Sequence, residues 1–597
     1  MTSKEKINSL RAKMASENLD AVLIPLTDPH QSEYIGAAWK ALEWYSGFSG
    51  SAGNMIVTQH FAGLWTDSRY FLQAEDQLAE SGIELMKLKK AHAPEHLKWM
   101  ADNLPAENSV GFDFRLISIA QFKQMRTLFS DKGILIADTK IAFDAWSTRP
   151  PLSSEPIEDH PVKFAGKSRK EKLSKIRAQL KNKQSDYQLL SALDEIAWTF
   201  NLRGNDVKFN PVFLSYALIG HYESKLFVQK DKLSEDLIKT LEADGITVYP
   251  YKAVDIVLDD LPHEAKILVD PSSISAWLTQ QVPLACELFK DMSIIRQLKS
   301  VKNEVEISHI RNVMVKDGVA LVKLYMWLEK NLPSGMVTEV EVGKKLDAFR
   351  SQQEGYRGES FAAIAGYQGH GAIVHYRATP STDVTLTPNG IFLLDSGGQY
   401  VDGTTDITRT IALGEPTKEE KKHYTLVLKG HIALATCVFP EGTKGFQLEA
   451  MARRPLWSAF RNYGHGTGHG VGFFLNVHEG PQSFGTGRTA HPASGLVPGM
   501  LTSNEPGYYE TGVYGIRIEN LILTVNAGES TYGNFLKFES VTLFPIDTSL
   551  IELSLLDHEE ITWLNDYHSK VFELLSPRLD NAENEWLKSK TKPVFLA

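Results

Sequence analysis

The most constraining feature of this sequence is a glycine at every second position from Gly464 to Gly472. Glycine lacks a Cβ atom, so this backbone can approach a ligand closely and adopt conformations that other residues cannot. Two histidines, His465 and His469, lie within the run, and His478 follows it. A single histidine in a strand is more often structural than functional. Three in and beside one glycine-rich segment indicate a functional site.

Three aspartates lie in the segment 391–411, which consists of two strand-like runs joined by a glycine-containing connection. A symmetric hairpin would place Asp395 opposite Asp406, with both carboxylates on one face of the sheet. Like charges so close together destabilise a sheet unless a cation lies between them. Asp402, in the connection, is predicted to be a turn residue.

Two glutamates occupy contexts that permit either a structural or a functional role. Glu505 precedes Pro506, and taken alone it would be an exposed acid in a turn. Glu519 follows Arg517 by two residues in a strand-like run, so both side chains share one face of the strand. Taken alone, that pair would be an Arg–Glu ladder on the protein surface.

The order of these acids and His469 resembles the five-ligand metal signature of the pita-bread metallopeptidases, a family that includes methionine aminopeptidases, prolidases and aminopeptidases P. The joint occurrence of all five local contexts makes the resemblance specific. It implies two divalent metal ions held by Asp395, Asp406, His469, Glu505 and Glu519. Four carboxylates can neutralise two divalent cations, and oxygen-rich ligation with one imidazole suits Mn²⁺ while permitting Co²⁺, Fe²⁺ or Zn²⁺.

The resemblance also implies a role for each residue. Asp406 and Glu519 bridge the two ions, Asp395 binds one ion and His469 the other. Glu505 is a ligand that also moves a proton to the leaving nitrogen. Three outer histidines hold the substrate and the oxyanion; they are His375, His465 and His478. Two further residues orient the ligands by hydrogen bonds; they are Arg517 and Tyr509.

The 597 residues are too many for one hydrophobic core and predict about three or four domains. The proline-rich segment 147–161 is interpreted as a linker between two α/β units. The first unit opens with an amphipathic helix, whose apolar face has Ile7, Leu10 and Met14, and with the apolar strand 21–25. The second begins with a basic helix at 168–183 and has four predicted strands, at 196–202, 212–219, 246–249 and 267–269.

A helix over about 301–332 begins a third region in which glycine-bounded strands dominate. With the resemblance, the predicted fold class is α/β and α+β, with two tandem α/β domains of the creatinase N type followed by a pita-bread catalytic domain. We place the domains at 1–152, 153–302 and 303–597, with a helical extension from about residue 541. A helix at 557–575 fits equally well against the third domain or against a partner subunit.

The two N-terminal units distinguish among the members of the family. Five of their segments are similar to the long, three-domain, cytosolic type of aminopeptidase P; they are 28–34, 44–53, 65–71, 194–204 and 210–216. This resemblance implies a cytoplasmic homodimer that removes the first residue of peptides with proline second, by a hydroxide bridging the two metals. The bond before proline has no amide N–H, so a site for it needs no acceptor there. A prolidase acting on Xaa-Pro dipeptides and a non-catalytic peptide-binding scaffold are the alternatives.

Charge and composition argue against other classes of function. The formal net charge is -10, and no cluster of Lys and Arg with interleaved aromatics is visible, so no nucleic acid partner is expected. No run is long and apolar enough to span a bilayer, so no membrane partner is expected either. Two cysteines favour a reducing compartment. Residues 485–490 have the glycine spacing of a dinucleotide site, but without a strand-to-helix transition they predict a loop.

Overall fold

The computed structural model describes residues 1–90, 93–485 and 495–596. The chain forms two compact units, one made of Met1–His160 with Lys167–Ile295 and the other of Pro161–Gly166 with Arg296–Ala597. The predicted loop at 485–490 lies, except for Gly485, outside the described residues. Within the described ranges, no helix has the length and apolar character needed to cross a membrane.

The first unit begins with a six-stranded mixed sheet in the order β4-β3-β2-β1-β5-β6. Its strands are β1 (Ala21–Pro25), β2 (Asn54–Thr58), β3 (Ala62–Thr66), β4 (Glu84–Lys87), β5 (Ser109–Phe112) and β6 (Leu135–Asp138). Its helices are α1 (Ser3–Ser16), α2 (Ala41–Ser46), α3 (Phe71–Gln77), α4 (Glu95–Asn103), α5 (Ile119–Ser130) and α6 (Ile141–Asp144). The predicted apolar face of α1 is confirmed, since Ile7, Leu10 and Met14 are its buried residues, and all of β1 is buried.

A second six-stranded sheet follows in the same unit. The strands of this stretch are β7 (Glu158–Asp159), β8 (Tyr187–Leu190), β9 (Leu202–Arg203), β10 (Ser215–Gly220), β11 (Ser224–Val228), β12 (Ile246–Pro250), β13 (Lys266–Val269) and β14 (Glu287–Lys290). The helices are α7 (Val162–Ala165), which belongs to the other unit, α8 (Arg169–Asn182), α9 (Leu193–Thr199), α10 (Glu235–Ala243), α11 (Val254–Asp259), α12 (Ala276–Gln280) and α13 (Ile294–Ser300). The predicted basic helix is therefore α8.

The second sheet repeats the first strand by strand. Its order β12-β11-β10-β8-β13-β14 matches that of the first sheet, and each pair of neighbouring strands has the same relative direction. Equivalent residues also join the two sheets, because the Ile119 amide donates to the Ile274 carbonyl (2.9 Å) and the Ala276 amide donates to the Ile117 carbonyl (2.8 Å). Reciprocal contacts of this kind are those of an isologous, two-fold interface. The predicted tandem repeat is thus present in the architecture.

One predicted strand of this stretch is wrong. Residues 196–202 were expected to form a strand, but α9 occupies most of them and β9 begins only at Leu202. The buried residues Leu193, Ile196, Ala197 and Phe200 follow the helical spacing i, i+3, i+4, i+7. A short apolar run is compatible with a strand or with a helix, and here the residues at helical spacing are the buried ones.

The second unit contains the remaining elements. Its strands are β15 (Tyr356–Glu359), β16 (Ile364–Tyr367), β17 (Ile391–Ser396), β18 (Gly398–Tyr400), β19 (Gly403–Thr404), β20 (Ile407–Ala412), β21 (Val438–Pro440), β22 (Gly468–Gly470), β23 (Glu479–Phe484), β24 (Leu501–Asn504), β25 (Gly507–Glu510), β26 (Tyr514–Arg517), β27 (Asn520–Ser530) and β28 (Gly533–Ser540). Its helices after α13 are α14 (Glu304–Asn331), α15 (Glu339–Arg350), α16 (Lys418–Ala435), α17 (Gly445–Ser458), α18 (His558–Leu575) and α19 (Asn581–Lys590). The long predicted helix is α14.

The hairpin around Asp395 differs from the symmetric prediction. Strand β17 pairs with β20 so that Asp395 lies opposite Thr408, two residues beyond Asp406. The connection is not a simple turn, because it contains β18 and β19, which pair with each other. Asp402 lies in a turn of this connection, as predicted, and it is also buried and forms an ion pair with Lys316 (2.7 Å).

The C-terminal extension packs on the catalytic domain. The apolar residues predicted for its helix are buried in α18 and belong to the same core cluster as the apolar face of α14; they are Ile561, Leu564, Val571 and Leu575. Of the two placements that the sequence allowed, packing against the third domain is confirmed. The extension is therefore part of the core that supports the strands β17, β20 and β27.

Candidate metal centre

The five predicted ligands come together at strand ends of the second unit. Asp395 is in β17, Asp406 precedes β20, His469 is in β22, Glu505 follows β24 and Glu519 lies between β26 and β27. Ligand atoms of Asp406, His469 and Glu519 all lie within 4.8 Å of one another. His469 Nε2 is 3.5 Å from Asp406 Oδ2 and 3.6 Å from Glu505 Oε1. Residues far apart in sequence thus form one acidic cluster around an imidazole.

The orientation of His469 suits a metal ligand. Its Nδ1 atom lies 3.0 Å from the Gly470 carbonyl, which can only accept a hydrogen bond, so Nδ1 carries the proton. Nε2 therefore presents its lone pair to the acids. A backbone carbonyl that fixes the tautomer in this way is the usual support of a metal-binding histidine.

Glycines on either side of His469 allow β22 to lie between its neighbours. A Cβ atom on Gly468 would come within 1.9 Å of the Ser503 carbonyl oxygen, and one on Gly470 within 2.1 Å of the Glu479 carbonyl oxygen. Any side chain at these two positions would displace β22 from β24 or β23. The glycines on either side of His469 therefore have a packing role. They allow β22, which carries His469, to lie close to β24, which precedes Glu505, and to β23, which follows His478.

The carboxyl groups of the cluster repel one another. Burial, followed by repulsion from Asp395, raises the pKa of Asp406 well above its ordinary value. Burial, followed by repulsion from Asp406, does the same to the pKa of Glu519. Burial also raises the pKa of Glu505 to about 7, with a further contribution from Asp395. Four ionised carboxylates this close together repel one another, and bound cations would offset that repulsion.

A buried oxygen supports the same conclusion. Oδ1 of Asp395 is buried and has no hydrogen-bond partner among the described residues. An unsatisfied buried carboxylate oxygen is costly, and a cation would satisfy it. The donor set, four carboxylates and one imidazole, matches the ligands that Mn²⁺ and similar divalent ions accept. The residues present therefore fit a divalent metal centre.

Arg517 links several members of the cluster. Its Nη2 donates to Asp395 Oδ2 (2.6 Å), and its Nε donates to Thr408 Oγ1 (3.2 Å). The Thr408 hydroxyl in turn donates to Glu519 Oε2 (2.8 Å). Arg517 and Glu519 are both 1% exposed, so the surface Arg–Glu ladder that the strand pattern alone suggested is excluded.

His465 and Tyr509 extend this network outward. Nδ1 of His465 lies 2.7 Å from the Gly466 carbonyl and therefore carries the proton, which leaves Nε2 to accept from the Tyr509 hydroxyl (2.7 Å). Tyr509 accepts in turn from Arg517 Nη1 (2.7 Å). The predicted pair Arg517 and Tyr509 thus connects His465 to the acidic cluster.

The other two histidines reach the centre in different ways. The ring of His478 lies perpendicular to that of His469, with 4.3 Å between centroids. The carbonyl of Val374, which precedes His375, accepts a hydrogen bond from Arg517 Nη2 (3.4 Å). Both histidines therefore lie on segments that contact the cluster.

Sequence reasoning missed several residues that build the site. Thr408 is one, and its position two residues after Asp406 on a strand was the available signal. Glu479 is another; its two oxygens pair with Lys299 (2.7 Å) and Lys302 (2.5 Å), and all three side chains are buried. Glu479 follows His478 directly, but neither lysine has a local sequence signal, since both lie about 180 residues upstream.

Family models cover nearly the whole chain. The creatinase/prolidase N-terminal domain matches residues 6–143, and a second model of that description matches residues 148–306. Metallopeptidase family M24 matches residues 308–526, and the C-terminal region of peptidase M24 matches residues 534–594. The M24 match contains all of the acids and histidines described above.

Curated relatives and a solved structure are similar over their full length. Xaa-Pro aminopeptidase 1 of Dictyostelium discoideum is 40% identical over 99% of this chain and 96% of that protein. Aminopeptidase P1 of Arabidopsis thaliana is 38% identical over 99% of this chain and 100% of that protein. The crystal structure of X-prolyl aminopeptidase from Caenorhabditis elegans, described as a cytosolic enzyme with a di-nuclear active site, superimposes with a TM-score of 0.94 at 34% identity, covering all of both chains.

Proposed function

We propose that this chain, which belongs to metallopeptidase family M24 as a member of its Xaa-Pro aminopeptidases, hydrolyses the first peptide bond of peptides whose second residue is proline. The observation that carries the proposal is the convergence of Asp395, Asp406, His469, Glu505 and Glu519 in one cluster, in which His469 and Glu505 are partly buried and the other three are buried. Family membership also confirms the predicted fold class, with two creatinase N domains before a pita-bread domain.

The same five residues would hold two divalent metal ions, of which Mn²⁺ is our choice. Oxygen-rich ligation with one imidazole supports that identity. Bound at this site, the two ions would polarise the scissile carbonyl and lower the pKa of the attacking water. In this proposal Asp406 and Glu519 would help to hold both ions, a role supported by their mutual repulsion and by their position beside His469.

Glu505 is the proton-transfer residue of this proposal. It follows β24 and lies 3.6 Å from His469 Nε2, and its Oε1 accepts a weak contact from the Ser503 hydroxyl (3.4 Å). It is the most exposed of the four acids, with 17% of its side chain accessible, so it can reach both a substrate and the cluster. From there it would take the proton of the attacking water and deliver it to the leaving nitrogen.

The outer histidines hold the substrate. His478 is beside His469, and His375 is joined to the cluster through Val374 and Arg517, so both can face a peptide bound over the acids. His465 has its two ring nitrogens engaged by Gly466 and Tyr509, so it would donate to the oxyanion only after Nε2 gains a proton and releases the Tyr509 bond. A carboxylate-rich site also favours the free α-amino group of the first residue.

The specificity for proline is tested with matched peptides. A series that differs only in proline or alanine at the second position should show release of the first residue from the proline members. Chelation should abolish that release, and Mn²⁺ should restore it. Activity on Xaa-Pro dipeptides alone would identify a prolidase instead, and binding without turnover under both metal conditions would identify a peptide-binding scaffold.

The organisation of the chain is the second part of the proposal. We assign domains 1–152, 153–302 and 303–597, with support from family models at 6–143, 148–306 and 308–526. A cytoplasmic location is supported by the cytosolic description of the Caenorhabditis elegans enzyme. A homodimer is supported by exposed apolar residues on α17, where Phe446 and Trp457 lie three turns apart and Phe460 follows the helix with 94% exposure.

A further inference from the structure

Glu339 is a completely buried carboxylate outside the metal cluster. It is the first residue of α15, and its exposed fraction is 0%. Its Oε1 accepts from the Tyr367 amide (2.7 Å), its Oε2 accepts from the Tyr376 hydroxyl (2.8 Å), and both oxygens lie 3.0 Å from His370 Nδ1. All three donors belong to one segment, residues 367–376.

These contacts fix the segment 367–376. Burying an ionised carboxylate is strongly unfavourable unless hydrogen bonds satisfy its oxygens. If the segment moved, Glu339 would lose its three partners together, so one arrangement is favoured over all others. The rings of His370 and Tyr376 also pack on each other, with 4.5 Å between centroids, which joins the middle of the segment to its C-terminal end.

A backbone contact holds the same segment from the other side. A Cβ atom on Gly515 would lie 1.7 Å from the Gly371 carbonyl oxygen, so the two backbones touch directly. Gly515 belongs to β26, the strand that ends at Arg517. The segment is therefore held between the buried carboxylate of Glu339 and the strand that carries Arg517.

His375 lies inside this segment, between the two side chains that bind Glu339. The carbonyl of its neighbour Val374 accepts from Arg517 Nη2 (3.4 Å), the same group that donates to Asp395 (2.6 Å). The residue before His375 is thus in direct contact with the arginine that holds Asp395. A shift at His370 or Tyr376 would displace His375 relative to the acids.

From this geometry we infer that Glu339 is a positioning residue of the reaction, acting through His370 and Tyr376 to place His375 against the substrate. The inference rests on the proposed function, in which His375 holds the peptide. The hydrogen bonds of Glu339 given above go to the segment 367–376 and not to the metal ligands, so its substitution should leave the metal content unchanged.

A double-mutant cycle tests this role. Glu339→Gln removes the charge and one acceptor, and it should lower kcat/KM by roughly ten- to a hundredfold, the cost of a misplaced catalytic group. In a His375→Ala background the same substitution should have almost no further effect, because residues that act through one another are non-additive. A loss of stability alone would act equally in both backgrounds.

Two milder variants keep the test decisive if Glu339→Gln does not fold. Tyr376→Phe and His370→Gln each remove one partner of Glu339, and each should lower turnover without depleting the metal. Glu306→Gln is the matched control, because Glu306 is also buried in the first turn of a helix and accepts hydrogen bonds from the backbone and side-chain amides of Asn303 (2.9 Å each). It should lower the unfolding temperature and leave kcat unchanged.

The outcomes separate this inference from the proposed function. Release of the first residue by the unmodified protein, and its absence in His469→Ala, concern the function alone. If the losses in kcat/KM of Glu339→Gln and His375→Ala multiplied in the double variant, the positioning role would be overturned while the proposed function stayed intact. Unchanged turnover in both Tyr376→Phe and His370→Gln, or in His375→Ala, would also overturn it.

Discussion

Arg517 donates a hydrogen bond of 2.6 Å to Oδ2 of Asp395, while Oδ1 of the same carboxylate has no partner among the described residues. One oxygen is thus held by the protein and the other is left for a ligand. Arg517 also donates to Tyr509 and Thr408, so a single guanidinium orients the acid, the outer network and the hydroxyl that binds Glu519. This arrangement lets an arginine and two cations share one cluster of acids without competing for the same oxygen.

Arg517→Lys should weaken metal binding and activity. An ammonium group is a single point donor and cannot span Asp395, Tyr509 and Thr408 at once. We expect metal affinity or kcat/KM to fall by roughly ten- to a hundredfold, as for other residues that support metal ligands. Metal titration of the purified variant checks this, with the exposed Arg578→Lys as control. Unchanged affinity and activity would contradict the orienting role.

His469→Ala and His375→Ala should separate metal binding from turnover. Loss of His469 removes the imidazole that faces Asp406 and Glu505, so this variant should lose metal and most of its activity. His375→Ala should keep its metal and turn over more slowly. Elemental analysis of both variants beside peptide hydrolysis makes the comparison, and equal metal depletion in the two would refute this division of roles.

Gly468→Ala should disturb the centre without altering any ligand. The added Cβ would lie 1.9 Å from the Ser503 carbonyl oxygen, so β22 must move and carry His469 with it. We expect lower metal affinity and a lower unfolding temperature. Gly343→Ala is the matched control, because a Cβ there meets nothing nearer than 3.9 Å, and in helix α15 it should stabilise by about 1 kcal/mol. Equal behaviour of the two variants would argue against close packing at β22.

Acid should destabilise the catalytic domain partly through His568. Burial, followed by repulsion from Arg409, lowers the pKa of His568 from 6.5 to about 4, and its Nε2 accepts from the Ile546 amide (3.0 Å). The folded protein favours the neutral form of His568. Its contribution to the free energy of unfolding is therefore complete above pH 6.5 and is lost as the pH falls from 6.5 towards 4.

The magnitude of that loss follows from the pKa difference. At about pH 5 the shift corresponds to about 2 kcal/mol of unfolding free energy. His568→Gln keeps an acceptor for Ile546 without a titratable ring, so it should lose that much less stability than the unmodified protein between about pH 7.5 and 5. If the free energies of unfolding of the two proteins changed in parallel with pH, His568 would not contribute to the acid sensitivity.

The exposed residues after and within α17 should control association. Replacing Trp457 and Phe460 by serine together should shift a dimer to monomer, because burial of such side chains drives association of copies. Sedimentation at several protein concentrations measures this. Tyr532→Ser is the control, since Tyr532 is 88% exposed at a site away from α17. A monomeric unmodified protein would refute the homodimer.

Local patterns were sufficient for much of the fold. The burial predicted for α1 and β1 matches the structure: Ile7, Leu10 and Met14 are buried at helical spacing, and all of β1 is buried. Apolar residues at a regular spacing share one face of a helix, and that face packs against the core. Residues 196–202 were misassigned because a short apolar run does not distinguish a strand from a helix. The repeat of the two N-terminal sheets had no visible sequence signal, since many sequences satisfy the same strand order.

The hairpin prediction shows where local reasoning ends. The sequence placed Asp395 and Asp406 in neighbouring strands, but β18 and β19 within the connection shift the register by two residues, so that Thr408 lies opposite Asp395. The position of Thr408 two residues after Asp406 marks it as a neighbour of the site, but its role could not be assigned from that position, because the role depends on Arg517 and Glu519, more than a hundred residues further along the chain.

The sequence by itself determined the chemistry of this protein: which acids and histidines are available, in what order, and on strands whose glycines permit close approach. Only the tertiary structure decided their partners, such as the two oxygens of Asp395 and the buried carboxylate of Glu339 with its three donors. Local propensities act over a few residues and are encoded locally. Burial and hydrogen bonding between distant segments arise only when the core excludes water, and they are a property of the whole fold.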